Sequence, residues 1–317
     1  MTESALQRTA MNKSEFARKY GAAIVLVLLV AFNIIYTQNF AATQTLWNVL
    51  LHASTTLLVA IGMTLVIATG GIDLSVGALM AIAAAVSTLF MDYGFAAAIF
   101  FTIACAAFLG AMNGTIISYL KIQPIIVTLA LMIAGRGIAQ VITDGMLVNF
   151  TNPTFEFIGK GSIGPVPFPV MLSLLTCLVI YLLVRFTIMG RYVEAIGDNE
   201  EAARLAGVRV NRIKIAIYSL SAVLAAMAGM IETARLAAAD ATKIGLFIEL
   251  DAIAAVVVGG TLMTGGRPLI FGTIIGVLIM EVVTTTFNYN NIPDSYSMVL
   301  KAAIIIIAIL VQRERKS

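Results

Sequence analysis

A group of polar residues and glycines interrupts an apolar part of the chain, where Thr69–Gly77 reads TGGIDLSVG. Thr69, Asp73 and Ser75 supply hydrogen-bonding groups, and the glycines allow a helix to end. An ionised Asp that faces lipid at a helix centre costs roughly 2.5–3.5 kcal/mol or more. Asp73 avoids this cost if it is the N-cap of a following helix inside a bundle. We therefore predict a helix break here, which either lines a solute path within the membrane or forms a tight turn at the cytoplasmic surface.

Three further polar residues, Asn113, Arg136 and Glu281, lie inside apolar segments. Ionisable residues in such segments are functional candidates by default. Arg136 could instead extend its guanidinium to the membrane surface, and Asn113 and Glu281 could hydrogen-bond neighbouring helices. So few charges favour a neutral polar solute. The predicted substrate-path residues are Thr69, Asp73, Ser75, Asn113, Arg136 and Glu281.

The motifs of common catalytic and nucleotide-binding sites are absent from the sequence. It contains no G-x-x-x-x-G-K-[ST], GxSxG, HExxH or CxxC, so the chain has no recognisable ATP site or zinc site of its own. His52 is the only histidine, and Cys105 and Cys177 both fall in apolar runs. An intramembrane transferase would need clustered acidic or His residues, which are also missing. We predict a transport protein with no catalytic residues, metal ligands or cofactor.

The composition places these residues in a polytopic, all-α membrane protein. Of 317 residues, 60% are hydrophobic and 12% are charged, and the mean hydropathy is +0.98. An average soluble domain is about 25% charged. Since a span needs roughly 20 apolar residues, we predict ten helices, of which the third and eighth are short. They lie near 21–37, 47–69, 74–90, 94–119, 124–142, 168–186, 213–235, 250–264, 269–289 and 296–312.

Basic residues predict the orientation, because cytoplasmic loops of membrane proteins are enriched in Lys and Arg. If ten spans cross the membrane, only three basic loop or helix-end residues lie on the side opposite the termini: Lys160, Lys243 and Arg235. Both termini (1–20 and 313–317) and the loop 187–212 are therefore predicted to be cytoplasmic, with 21–312 as one membrane domain whose first span is not cleaved. The cytoplasmic set is Arg8, Lys13, Arg18, Lys19, Lys121, Arg191, Arg204, Arg209, Arg212, Lys214, Arg267, Arg313, Arg315 and Lys316.

The loop 187–212 contains the signals of a short helix outside the membrane. Asp198 and Glu201 have the spacing of a capping box with Asp as the N-cap. Residues 200–206 favour a helix, and Gly207 suits the position after its end. Two turns are marginal alone. The segment is therefore either a coupling helix seated on another protein or a solvated connector.

A second glycine-rich stretch, VVVGGTLMTGG at 256–266, repeats the spacing of Gly70, Gly71 and Gly77 at an offset of 189 residues. Transporters are often built from duplicated halves. The repeat therefore favours a chain built from two related halves.

Several long motifs resemble the membrane permeases of ribose-type ABC sugar importers. They are GMTLVIATGGIDLSVG, GDNEEAARLAGVRVNRIKI and ELDAIAAVVVGGT, in that order. The stretch KIQPIIVTLALMIAGRGIAQVIT also resembles the galactofuranose-type permeases of the same group. The resemblance extends from about Trp47 to Val311.

The resemblance implies the fold of the cobalamin-importer permease and a larger assembly in the bacterial inner membrane. Two permeases, identical or paralogous, would pair with two ATPase domains that hold ATP and Mg²⁺ and with a periplasmic sugar-binding protein, without nucleic acid. The cargo would be a pentose or hexose; a nucleoside or branched-chain amino acid is the alternative. The residues implied to contact the ATPase are Glu194, Asp198, Asn199, Glu200, Glu201, Arg204 and Gly207.

Overall fold

A helix lies at every position where the sequence predicts a span. The computed structural model describes residues 13–313; Arg8, Arg315 and Lys316 and the rest of 1–12 and 314–317 lie outside the described residues. The ten helices at predicted positions are α1 (Lys13–Tyr36), α2 (Thr43–Ala68), α3 (Val76–Leu89), α4 (Phe95–Tyr119), α5 (Pro124–Ile142), α7 (Phe168–Phe186), α10 (Val210–Leu236), α11 (Ile248–Val258), α12 (Ile270–Tyr289) and α13 (Asp294–Arg313).

Shorter elements lie in the connections. A 3₁₀ turn spans Met91–Tyr93, and the long loop after α5 contains α6 (Pro153–Lys160). Two antiparallel strand pairs flank α6: β1 (Val148–Asn149) with β4 (Ala238–Ala239), and β2 (Ser162–Ile163) with β3 (Val166–Pro167). The loop between α7 and α10 forms two helices, α8 (Ile188–Asp198) and α9 (Glu200–Leu205). The prediction of an all-α protein is confirmed.

Helix length separates full spans from partial ones. Within the described residues, six helices are long and apolar enough to cross a membrane: α2, α4, α5, α7, α10 and α12. The 14 residues of α3 reach only about 21 Å and the 11 residues of α11 only about 17 Å. A bilayer core is about 30 Å thick, so both helices are shorter than a full span, as the sequence predicts.

The centre of the bundle is α2, with α10 beside it. In the most apolar window of α2, 83% of the residues are buried, against 22% in α4, so α2 is a core helix and α4 faces outward. α10 packs on α4, α2 and α3. Its approach to α4 relies on Gly110 and Gly114: a Cβ at Gly110 would lie 2.6 Å from the Ala222 Cβ, and one at Gly114 would lie 2.6 Å from the Ile215 Cα. This small-xxx-small spacing brings two backbones together.

The bundle has two distinct ends. We call the end that carries α8, α9 and the turns 69–75 and 259–269 the α8 face, and the end that carries α6 and the β1–β4 pair the α6 face. On the α6 face, α6 packs on the end of α10, and a Cβ at Gly159 would overlap the Arg235 backbone nitrogen.

Candidate functional site

The predicted break is present between α2 and α3. α2 ends at Ala68, Gly70 takes a φ of +78°, and α3 begins at Val76. The Asp73 carboxylate accepts hydrogen bonds from the Ser75 backbone N–H at 3.0 Å and the Ser75 hydroxyl at 2.5 Å. The prediction that Asp73 is the N-cap is wrong, because Ser75 holds that position. Asp73 instead closes a local turn onto the amide two residues ahead, as Asp side chains do in tight turns.

Three elements bring polar side chains together at this break. The Ser221 hydroxyl on α10 donates to the second Asp73 oxygen at 3.2 Å, and the Asn113 side-chain amide on α4 donates to the Ser75 hydroxyl at 3.2 Å. We call Asp73, Ser75, Asn113 and Ser221 the polar cluster; each is at most 1% exposed. No basic side chain that the structure describes lies within 4.0 Å of Asp73. Its buried carboxylate therefore depends on neutral hydrogen-bond donors.

A fifth polar residue borders the cluster. The Tyr218 hydroxyl is buried and has no hydrogen-bond partner among the described residues. It lies one turn before Ser221 on α10 and touches the place where Gly71 would carry a side chain. Sequence reasoning missed both Tyr218 and Ser221. The sequence does contain a signal for them, because two polar residues three positions apart in an apolar helix lie on the same face.

The other predicted path residues are placed differently. The Thr69 hydroxyl is buried and donates back to the Val66 carbonyl at 2.8 Å, which finishes α2. Glu281 is partly exposed on α12 and forms no salt bridge with a residue that the structure describes. Thr69 thus borders the break, whereas Glu281 contributes no hydrogen bond to the polar cluster.

Arg136 holds a loop. Its guanidinium donates to the carbonyls of Ala241 at 3.1 Å, Ile244 at 2.6 Å and Gly245 at 3.3 Å. These carbonyls belong to the segment between β4 and α11, near the α6 face. Three acceptors satisfy a planar fork of donors, so Arg136 fixes the connection between α10 and α11.

On the opposite face, the short helix predicted after residue 198 is confirmed as α9, with a corrected start. Asn199 is the N-cap, and its side-chain oxygen accepts from the Ala202 N–H at 2.9 Å. Asp198, the predicted cap, is the last residue of α8. α8 itself was not predicted, because its apolar positions lie among Gly190, Gly197 and charged residues. The coupling unit, as we call α8 and α9, is therefore longer than the sequence suggests.

The end of α9 agrees closely with the prediction. Gly207 has a φ of +86°. Its N–H donates to the Arg204 carbonyl at 3.0 Å, and the Val208 N–H donates to the Ala203 carbonyl at 3.0 Å. This pair of bonds is the Schellman motif, in which a left-handed glycine closes a helix.

Charged groups tie α9 to the start of α10. The Glu200 carboxylate contacts the Lys214 ammonium at 2.5 Å and the Arg204 guanidinium at 3.0 Å. Partial burial alone would raise the pKa of Glu200, but the hydrogen bonds and charges of Lys214 and Arg204 outweigh it and hold the pKa below its usual value. Glu200 is therefore ionised at neutral pH.

The coupling unit meets both helix breaks at one point. A Cβ at Gly197, near the end of α8, would overlap the Ala68 carbonyl oxygen and the Gly266 amide nitrogen. The Gly266 N–H in turn donates to the Ala68 carbonyl at 2.9 Å. We call Ala68, Gly197 and Gly266 the backbone junction. It joins α8, the end of α2 and the turn before α12 without side chains between them.

A second helix break lies at the glycine pair of the repeat, with a shifted register. α11 ends at Val258, and the left-handed residue is Gly260, the second of its pair, whereas Gly70 is the first of its pair. The two turns are thus similar but not superimposable residue by residue. Common descent of two halves stays a prediction.

Comparison with known proteins identifies the family. Residues 45–309 match the family described as "Branched-chain amino acid transport system / permease component". The galactofuranose transporter permease protein YtfT of Escherichia coli (strain K12) is 43% identical over 270 residues, which cover 84% of this chain and 79% of that protein. The ribose import permease protein RbsC of the same strain is 40% identical over 299 residues, with 92% and 93% covered.

A more distant relative is the fructose import permease protein FruF of Bifidobacterium longum (strain NCC 2705), 34% identical over 91% of this chain and 86% of its own length. All three relatives are permease subunits named for sugars. Nearly the whole chain is matched in each case. This protein therefore belongs to the ABC-transporter permease family that the match describes, within its ribose-type sugar branch.

Proposed function

We propose that this chain is the permease subunit of an importer for a ribose-like monosaccharide, a pentose or hexose, delivered by a periplasmic binding protein. The polar cluster carries the proposal. It places hydroxyl, amide and carboxylate groups at a helix break, where three spanning elements meet and a change in helix packing would expose them.

The chemistry of the cluster suits a neutral polyol. A sugar needs paired donors and acceptors, and Ser75, Asn113 and Ser221 offer both without a net charge. Sugar hydroxyls could replace the bonds that Ser75 and Ser221 make to Asp73 and the bond that Asn113 makes to Ser75. An anionic substrate would instead require a fixed positive charge in the path. Arg136, the one basic residue among the predicted path residues, is engaged by three backbone carbonyls.

The orientation follows from charge. The coupling unit and the adjoining turns carry Arg191, Arg204, Arg209 and Arg267, whereas the α6 face carries Lys160 and Lys243. This excess supports a cytoplasmic α8 face, cytoplasmic termini and an inner-membrane location in a bacterium. The α6 face would then receive the sugar-binding protein.

The coupling unit is proposed to receive the force of separate ATPase subunits, which hold ATP and Mg²⁺. The backbone junction supports this role, because movement of α8 reaches both breaks without an intervening flexible side chain. A second permease, either a copy or a paralogue, would complete the pathway. Among the coupling residues implied by the family, Glu200 and Arg204 hold α9 in place, while Glu201, which is largely exposed, remains available to a partner.

A different cargo is the second candidate, because the matched family is described by branched-chain amino acid transport. The same fold would then carry a branched-chain amino acid or a nucleoside. An amino acid is zwitterionic and would need both charges matched. The sugar-named relatives at 40–43% identity favour the monosaccharide.

Uptake into proteoliposomes tests the proposal. The chain is reconstituted with its cognate ATPase and binding protein, and radiolabelled ribose is supplied with ATP or with ADP. We expect ATP-dependent uptake that excess monosaccharide competes away and that excess leucine or adenosine leaves unchanged. If only leucine or adenosine competes with uptake, the cargo is an amino acid or a nucleoside. The absence of ATP-dependent uptake of any monosaccharide would refute the proposal.

A further inference from the structure

A cavity of about 550 Å³ opens on the α8 face between the end of α7, the start of α8 and the start of α12. It is separate from the polar cluster and shares no residue with it. Cavities of this size are within the range that holds small ligands, about 300–1,000 Å³.

Three arginines line this cavity: Arg185 at the end of α7, Arg191 on α8 and Arg267 before α12. None of them has an acidic side-chain oxygen within 4.0 Å among the described residues. Glu194 is the one acidic residue of the lining, so positive charge is in excess. Positive charges that line one cavity attract an anion to it.

The start of α12 adds to the positive potential. Its first turn, from Ile270, lines the cavity and contains no acidic residue, and its N-cap, Leu269, provides no side-chain hydrogen bond. The positive end of the helix dipole therefore lies at the cavity, where it favours an anion.

The walls of the cavity change from charged to apolar along the helices. Tyr181 on α7 lies one turn inside Arg185, and its ring meets Phe271 of α12 edge-on, with centroids 4.9 Å apart. α7 and α12 both pack on α2, so the crevice between them has an apolar floor. Phe271 is 62% exposed on the outer side of the bundle. Such a site has guanidinium groups for a head group and an aromatic wall for an acyl chain.

We propose that this cavity binds the phosphate group of an anionic phospholipid from the leaflet on the α8 side. The arginines hold the phosphate, and the chain of the lipid lies along Tyr181 and Phe271. An acidic segment of a soluble protein would match the arginines but would gain nothing from an aromatic wall that continues into the spanning helices. A bound lipid would connect α7, the coupling unit and α12.

The test uses the full chain in detergent and native mass spectrometry. Phosphatidylglycerol, phosphatidylcholine or inorganic phosphate is added, and the lipid-bound fraction is measured. The variant Arg185→Gln/Arg267→Gln is compared with Arg209→Gln/Arg212→Gln, which removes the same charge from exposed sites on the same face but outside the cavity. Arg185→Lys/Arg267→Lys keeps the charge and controls for folding.

We expect the wild-type chain to retain phosphatidylglycerol in preference to phosphatidylcholine. The cavity glutamine variant should lose roughly 30-fold in affinity, since each basic residue near an anionic lipid contributes about 1 kcal/mol. The control and the lysine variant should stay within about 3-fold of the wild type on the same scale.

Three results would overturn the proposal. Equal loss in both glutamine variants would mean a diffuse charge effect. Binding of inorganic phosphate that lipid does not displace would identify a free-anion site. Unchanged lipid binding, together with failure of the cavity variant to retain the ATPase subunit, would assign the arginines to a protein contact.

Discussion

Replacing Gly197 by Ala adds one methyl group at the backbone junction. The new Cβ would lie inside 3.0 Å of three backbone atoms, among them the Ala68 oxygen and the Gly266 nitrogen. Backbone atoms of two helix ends cannot rotate away as a side chain can. α8 must therefore move off the turns 69–75 and 259–269, or the hydrogen bond between Gly266 and Ala68 must break.

The free-energy cost of Gly197→Ala comes from the displacement of α8 or from the loss of the hydrogen bond between Gly266 and Ala68. Overpacking in a close contact costs about 1–3 kcal/mol, and a buried polar group without a partner costs about 1–3 kcal/mol. Either effect alone costs about 1–3 kcal/mol and both together up to about 6 kcal/mol, borne by the junction and not by the whole bundle. A cost above about 1.4 kcal/mol displaces a two-state equilibrium by at least tenfold.

The assay measures ATP hydrolysis and sugar uptake in the same proteoliposomes. For Gly197→Ala we expect uptake to fall at least tenfold per ATP hydrolysed, because α8 no longer moves with both breaks. The matched control is Gly137→Ala on α5, where no atom lies within 4 Å of the added Cβ. That exchange should raise stability by about 0.5–1 kcal/mol and leave uptake unchanged.

The outcome that refutes this reasoning is an uptake-to-hydrolysis ratio for Gly197→Ala equal to that of the wild type. A variant that fails to insert is distinguished by size-exclusion chromatography of the detergent-purified chain.

Three other predictions address the coupling unit and the polar cluster. Gly207→Val should cost about 1–2 kcal/mol by forcing a branched side chain to φ of +86°, with no steric contact; uptake should fall while membrane insertion persists, and unchanged uptake would remove α9 from the coupling role. Asn113→Leu removes the hydrogen-bond donor to Ser75 and should therefore lower the uptake rate while the Kd for the binding protein stays unchanged. If uptake instead falls in the same proportion as the amount of folded protein, Asn113 has a packing role. The pKa of Glu200 is lower in the folded protein than its usual value near 4.5, so its ion pairs stabilise α9 at pH values above 4.5. This stabilisation is lost as the pH falls through the lower pKa of the folded state. Hydrogen exchange of α9 amides should therefore accelerate below about pH 4.5, after correction for intrinsic rates, in the wild type but not in Glu200→Gln; the same pH profile in both proteins would contradict the assignment.

The sequence predicts the number and place of the helices well, because lipid forces apolar segments of fixed length into helices. It also predicts the end of α9, since a left-handed turn requires a residue such as Gly207. These features depend on local physics.

Features that depend on tertiary contacts were missed or displaced. Ser221 completes the polar cluster from a position 148 residues after Asp73, and no local rule connects them. Asn199 and not Asp198 is the cap because α8, which was not predicted, extends through Asp198. The three carbonyl partners of Arg136 lie more than 100 residues away along the chain. The sequence therefore could not decide whether Arg136 extends to the membrane surface or lines the substrate path.

Arg136 and α6 together have a mechanical consequence. They anchor the α6 end of α10 and its connection to α11, whereas the opposite end contacts the coupling unit through side chains, by the Glu200–Lys214 ion pair and the packing of Val210 on Ile196 and Ala203. A helix held in this way pivots about its fixed end. The 27 residues of α10 extend about 40 Å, so a tilt of about 10° about that pivot would swing the far end by about 7 Å and leave the anchored end nearly still. Spin labels at the two ends should then report a distance change that grows from one face to the other, and equal changes at both ends would mean that α10 translates as a piston.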